Sequence, residues 1–311
     1  MLIINILKQI TSFNAAPGQE LAWLAVAEEL DLGWSKISGE DLVEVISCMP
    51  NLKKLSLNNC KHLNSLPEVL ANLDNLEELD LGSSNISGEG LAQIINHAPN
   101  LKKINLNYCH NLYPLPETLA MLNKLKELDL FKSSISGEDL AKIINHAPNL
   151  KKLDLHGCDH LNPLPTTLAS LDKLEELGLG DSNINGDNLV KILNHAPNLK
   201  KLDLHYCKNL NPLPEILNTL DKLEELDLRA SNISGDDLVT IINCTSKLRK
   251  LNLSSCTNLN PLPETLATLN NLEELDLGSS NISGDNLAKI LNCAPKLKKL
   301  NLIRGGREAR A

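Results

Sequence analysis

Two stretches of this 311-residue chain, "DLHGC" and "DLHYC", place Asp154, His156 and Cys158, and again Asp203, His205 and Cys207, at alternate positions. Carboxylate, imidazole and thiol are the parts of a nucleophilic triad, which needs a base within hydrogen-bond reach and a thiol open to substrate. The same thiol position is filled by Cys60, Cys109 and Cys256 with no preceding histidine, so these cysteines follow a rule of their own. The expectation is that no residue is catalytic. P-loop, GxSxG, HExxH and dinucleotide fingerprints are all missing from the sequence.

A second set invites a metal. Cys48, His97, His146, His195, Cys244 and Cys293 recur at one place in a repeat, and thiolate and imidazole are the usual zinc ligands. Ligands sit about 2.0 to 2.3 Å from zinc, whereas neighbours in this column, two strand spacings apart, are separated by about 10 Å. They cannot share an ion. No metal and no cofactor is expected.

What positions all these residues is a period of 49. Leu76, Leu125, Leu174, Leu223 and Leu272 open "LxxLxL" runs, and so do Leu52, Leu101, Leu150, Leu199, Leu248 and Leu297, with spacings that alternate between 24 and 25 residues. Such a unit cannot bury its apolar face alone and must stack on its neighbours, which makes a solenoid of two alternating rung types. Within "LxxLxL" the apolar residues alternate, as in a strand. The longer rung continues as "SNISGEGLAQIINHAPN", a capped helix with Leu91, Ile94 and Ile95 at helical spacing before Pro99. The shorter rung, "NPLPTTLASLDK", has two prolines that favour an extended entry and allows only a turn or two of helix.

These residues resemble the leucine-rich repeat, LxxLxLxx followed by Asn or Cys, over about residues 27–303, with eleven successive rungs and the start of a twelfth. The "APN" ending resembles the cysteine-containing class, and the short rung resembles the "LPxxLxxL" type of plant immune receptors and of effectors that bacteria deliver into host cells. The resemblance implies an α/β horseshoe with a parallel concave sheet and short convex helices. The expected organisation is a cap with a degenerate rung at 1–26, repeats at 27–303 and a basic tail at 304–311.

Counting the opening leucine as position one, position nine reads Ser35, Cys60, Ser84, Cys109, Ser133, Cys158, Ser182, Cys207, Ser231, Cys256 and Ser280. This small, buried hydroxyl or thiol serves the turn. Cysteines two rungs apart, at about 9 to 10 Å, are too distant for a disulfide, so a reducing compartment is expected. Position three alternates Glu and Lys from Glu29 to Lys299, a ladder for register and solubility. Position five is mostly acidic, a negative tone that suits a partner with basic groups.

Positions seven and eight are where the rungs stop agreeing. Four of the seven aromatic residues fall there, Trp34, Tyr108, Phe131 and Tyr206, beside Lys132, His156, Asp181, His205 and Arg229. Exposed aromatics and arginine anchor protein interfaces. Gly157, Gly178 and Gly180, between Phe131 and Tyr206, are expected to leave a shallow notch about 19 Å across, four strand spacings. Lys126 breaks the position-two alternation and, with Lys102 and Lys151, makes a basic spot. The expected partner-binding set is therefore Trp34, Tyr108, Lys126, Phe131, Lys132, His156, Asp181, His205, Tyr206 and Arg229.

A net charge of -9 argues against nucleic acid, and no apolar run spans a bilayer. The opening "MLIINILKQI" lacks the basic region of a Sec signal and has helical spacing instead. The expectation is a cytoplasmic protein with no enzymatic activity that recognises a protein partner, in the host cytosol if it is a bacterial effector. Two alternatives stand beside it: the substrate-recognition arm of a ubiquitin-ligase assembly, and a purely structural or engineered scaffold. The last rung decays into "IRGGREARA", an uncapped end that offers a surface for self-association.

Overall fold

The structure, a computed structural model, describes residues 24–63, 66, 73–117, 119, 120, 122–166, 168–210, 220–262 and 269–303. The expected terminal cap, apart from 24–26, and the basic tail lie outside them. The chain divides into two compact units, the first ending at Asp154 and the second beginning at Leu155.

The first unit carries six short strands: β1 (Glu29–Asp31), β2 (Lys54–Ser56), β3 (Glu78–Asp80), β4 (Lys103–Asn105), β5 (Glu127–Asp129) and β6 (Lys152–Asp154). They pair in chain order and in parallel, Glu29 opposite Lys54 and Lys54 opposite Glu78. Its helices are α1 (Gly39–Ser47), α2 (Gly88–His97) and α3 (Gly137–His146). The second unit repeats the plan with β7 (Glu176–Gly178), β8 (Lys201–Asp203), β9 (Glu225–Asp227), β10 (Lys250–Asn252), β11 (Glu274–Asp276) and β12 (Lys299–Asn301). Its helices are α4 (Gly186–Asn194), α5 (Gly235–Cys244) and α6 (Gly284–Cys293). Each strand is only three residues long because the leucines on either side turn inward, and the fold is a solenoid of strand, turn and return.

The helices start where the sequence places a cap. Ser38, Ser87, Ser136, Asn185, Ser234 and Ser283 each accept the backbone N–H three residues on, satisfying a donor the first turn leaves unpaired. In α2, Leu91, Ala92, Ile94 and Ile95 form the buried stripe, and truncating one of its isoleucines to alanine is expected to cost about 2 to 5 kcal/mol. The third helical residue also reaches the short rung: the Leu115 N–H donates to Asp139 at 3.1 Å, and the Leu164 N–H to Asn188 at 3.1 Å.

In the short rungs the expected turn or two of helix is not formed over the described residues 115–117, 119–120 and 164–166, 168–171, whereas 67–72, 211–219 and 263–268 lie outside the described residues.

Candidate functional site

A local rule builds the surface formed by positions seven and eight. The position-five side chain accepts the N–H of position seven: Asp31 from Gly33, Asp129 from Phe131, Asp203 from His205, Asp227 from Arg229 and Asn252 from Ser254, all at 2.8 to 3.0 Å. Position nine then donates back to the position-six carbonyl, as in Cys60 to Leu57 and Cys207 to Leu204. Between them position eight is forced into the left-handed region, with φ of 65° at Trp34, 54° at Tyr108, 51° at Lys132, 54° at Asp181 and 55° at Tyr206. This is the third residue of a turn that glycine or asparagine normally fills. Gly157, at 66°, and Asn59, at 56°, meet that preference.

The acidic row at position five thus has a backbone duty that asparagine performs equally, which accounts for Asn105, Asn252 and Asn301 in the same row. The position-three ladder forms the expected ion pairs, Lys54 to Glu29 at 3.2 Å and to Glu78 at 3.9 Å, and Lys250 to Glu225 at 3.3 Å, with Glu78 and Glu225 half-buried. Such pairs contribute about 0 to 1 kcal/mol each.

In the first unit, Tyr108 and Phe131 meet edge to face with ring centroids 5.2 Å apart. Lys132 Nζ lies 5.5 Å from the centre of the Phe131 ring, a cation over the negative face of an aromatic. Lys126 is exposed, and its backbone is bonded between Lys102 and Lys151, so the three lysines do lie side by side. Trp34 stands apart at the start of the stack, 78% exposed.

In the second unit, Tyr206 packs edge-on against His205 with centroids 5.6 Å apart, and Arg229 Cζ lies 5.7 Å from the Tyr206 ring centre. The Arg229 Nε is buried and has no hydrogen-bond partner among the described residues. Asp181 is exposed, and its backbone N–H donates to the His205 carbonyl at 2.7 Å.

His156 and His205, both in the expected partner-binding set, are half-buried rather than fully exposed. Both turn onto Asp203: His156 Nε2 lies 3.0 Å from Oδ2, and His205 Nδ1 2.7 Å from Oδ1. The expected notch is closed for the same reason. A Cβ on Gly178 would lie 2.2 Å from His156 Cε1, and one on Gly180 2.2 Å from His205 Nδ1, so the imidazoles occupy the space the missing side chains leave. Burial alone would push the Asp203 carboxyl up, but the His156 ring and the backbone and ring N–H of His205 hold it down at about 2.

The thiols are spent on structure. Cys60, Cys109, Cys207 and Cys256 are fully buried and donate to Leu32, Leu81, Leu179 and Leu228 carbonyls at 3.1 to 3.2 Å. Burial pushes Cys109 and Cys256 up to about 11 and Cys207 to about 12, so the triad spacing yields no thiolate nucleophile. In the Cys/His column, His97 and His146 are half-buried and donate from Nδ1 to the carbonyls of Gln93 and Lys142 four residues back, tying down helix ends.

A family model described as a leucine-rich repeat region matches residues 100–310, and a second, the leucine-rich repeat, matches 51–73. The chain belongs to the leucine-rich repeat family. Among solved structures, this leucine-rich repeat chain is similar to an internalin of Listeria monocytogenes, at 20% identity with a TM-score of 0.60, over 98% of this chain and 89% of that one. It is also similar to TLR13 in a structure titled as its complex with ssRNA13, at 22% identity and a TM-score of 0.52, over 91% of this chain and 48% of that one. The plant peptide hormone receptor RGFR1, solved with RGF2, matches at 22% identity and a TM-score of 0.44, over 82% and 45%. No curated protein sequence matches the chain. The likenesses to the internalin and to TLR13 establish the leucine-rich repeat solenoid as the fold.

The sequence reading missed two features. One is the left-handed turn at position eight, whose signal lies in Gly157 and in Asn59 at the same position. The other is Asp203 as the hub of two imidazoles, hidden in a row of similar aspartates.

Proposed function

We propose that the chain is a non-enzymatic protein-recognition module whose partner engages the residues of positions seven and eight. The observation that carries this is the strain at Trp34, Tyr108 and Tyr206. All three aromatics sit in left-handed backbone and are 78%, 40% and 47% exposed. A non-glycine residue there costs about 1 to 2 kcal/mol, and the contacts of a part-exposed ring return only part of it to the fold. A structural scaffold that varied only by drift would fill these sites with small residues, as at Ser83, Ala230, Ser255 and Ser279.

Each unit then offers its own anchors. In the first these are Tyr108, Phe131 and Lys132, with Lys126 adding a basic spot for an acidic group and Trp34 a separate contact. In the second they are Tyr206 and Arg229, with Asp181 beside them and His156 and His205 bracing from below. The net charge of -9 keeps a protein, rather than a nucleic acid, as the partner. The buried S–H donors of the ladder need reduced cysteine, which favours a reducing compartment. The "LPxxLxxL" rungs, which resemble those of effectors that bacteria deliver into host cells, support an effector that works in a host cytosol.

The test is affinity capture with mass spectrometry, using the wild-type chain and a Phe131→Ala/Tyr206→Ala variant as baits at equal loading. The proposal expects a defined protein set on the wild type that the double variant loses. Identical capture by both baits overturns it.

A further inference from the structure

His156 belongs to the rung of β6 and His205 to that of β8, so one rung lies between them, yet their ring centroids are 5.1 Å apart with planes 31° from parallel. The intervening rung makes this approach possible. Its position five is Gly178, where every other described rung has Asp, Asn or Ser, and its position seven is Gly180. The only two histidines at position seven in the chain flank these two glycines. Three departures from the repeat, Gly178 and the two histidines, therefore coincide at one point beside Gly180, with Asp203 beneath them.

We propose that His156, Asp203 and His205 form a binding site for a divalent transition-metal ion of the zinc class. Two neutral imidazoles and a carboxylate are a ligand set that zinc and its neighbours favour over calcium or magnesium. One donor atom from each of the three lies within 4.8 Å of the others. Donors around tetrahedral zinc are about 3.4 Å apart at a metal–ligand distance of about 2.1 Å. The existing separations, 3.0 Å from His156 Nε2 to Asp203 Oδ2 and 2.7 Å from His205 Nδ1 to Oδ1, need openings of about 0.4 and 0.7 Å to reach that spacing. An ion takes the place of the protons now shared between the rings and the carboxylate.

The surroundings hold the ligands and leave one side open. Asp203 Oδ1 accepts the His205 backbone N–H at 3.0 Å, which fixes the carboxylate plane, as a supporting shell does in metal sites. The side chains of His156, His205 and Asp203 are 17%, 18% and 34% exposed, so the remaining coordination position faces solvent and takes water. This differs from the Cys/His column at the helix ends, where His97 and His146 each bond their own helix.

Calorimetric titration of the reduced, chelator-treated chain with Zn²⁺ is expected to show one site with micromolar or tighter affinity. His156→Ala and His205→Ala are each expected to weaken it about tenfold or more, and both should fold because position seven tolerates Gly, Asn, Ser and Phe elsewhere. Gly178→Ala removes no donor atom but displaces the His156 ring, and it should weaken Zn²⁺ too. His97→Ala and His146→Ala should leave the affinity unchanged. Co²⁺ in place of Zn²⁺ should give visible d–d absorption without the near-ultraviolet band of a cobalt thiolate. Absence of binding, unchanged affinity in both position-seven variants, or a thiolate band from the bound ion overturns the site.

Discussion

Tyr108 and Phe131 stand in successive rungs, at positions eight and seven, and their rings meet edge to face at 76° with centroids 5.2 Å apart. The contact crosses two turns whose backbones are also joined, the Tyr108 N–H donating to the Phe131 carbonyl at 2.7 Å. Paired aromatics of this geometry are worth about 0.5 to 1.5 kcal/mol beyond their burial. A double-mutant cycle with Tyr108→Ala and Phe131→Ala, read by urea unfolding, is expected to give a coupling energy in that range. Additive effects would show that the rings are neighbours without interacting.

Position eight supplies a reciprocal pair. Ala230 has φ of 53° and Gly157 has φ of 66°. Ala230→Gly relieves left-handed strain and is expected to stabilise by about 0.5 to 1 kcal/mol, the strain relief outweighing the added chain entropy. Gly157→Ala is expected to destabilise by about 1 kcal/mol. Urea midpoints that moved in the same direction for both would contradict the turn rule.

The buried thiols should be slow to alkylate in the native state. Burial pushes Cys207 up to about 12 and Cys109 and Cys256 to about 11, whereas Cys48 and Cys293 are half-buried. Iodoacetamide at mildly alkaline pH, followed by peptide mass mapping, should label Cys48 and Cys293 well before the ladder cysteines. Early labelling of Cys207 would mean that its rung opens.

Two adjacent aspartates act in opposite directions with pH. Asp203 is held below its ordinary value, so its contribution to stability is present above pH of about 4 and is lost as pH falls toward about 2; with a third of the side chain open to water it amounts to about 1 kcal/mol. Asp227 is raised, first by burial, and its contacts with the Arg229 N–H and the Asn252 amide only partly offset that and the repulsion of Asp203. Its charge therefore opposes folding above its folded-state value. Asp227→Asn keeps an acceptor for the Arg229 N–H, as Asn252 does for Ser254, and should stabilise at neutral pH, with the gain vanishing once the carboxyl is protonated in both states. Unfolding curves at pH 7 and pH 3 check the sign.

The strands, the caps and the long-rung helices were all legible, because Leu at fixed offsets and Ser or Asn before Gly-Glu or Gly-Asp act through local chemistry that repeats. The short rung was less so: the N–H of Leu164 goes to Asn188, a residue 24 positions later, a contact between rungs that local sequence does not announce. Position eight misled because Trp34, Tyr108 and Tyr206 disguise a turn that glycine would have announced. The pairing of His156 with His205 was hidden by the same spacing argument that separates the helix-end column. Two strand spacings keep side chains apart only when the rung between them has side chains of its own, and here it carries Gly178 and Gly180.

The central claim is that the aromatics of position eight are kept for a partner at the expense of the fold. Its most direct test is to measure Tm and partner affinity together for the Tyr108→Gly/Tyr206→Gly variant, with Ser83→Gly/Ser255→Gly as the control for backbone relief. The account predicts a Tm within about 2 to 4 °C of wild type, because strain relief offsets the lost ring contacts, and an affinity at least about tenfold weaker, a loss of about 1.4 kcal/mol; the control should bind as wild type does. Full affinity in the tyrosine variant, or a collapse of Tm that shows the rings holding the stack together, would contradict it.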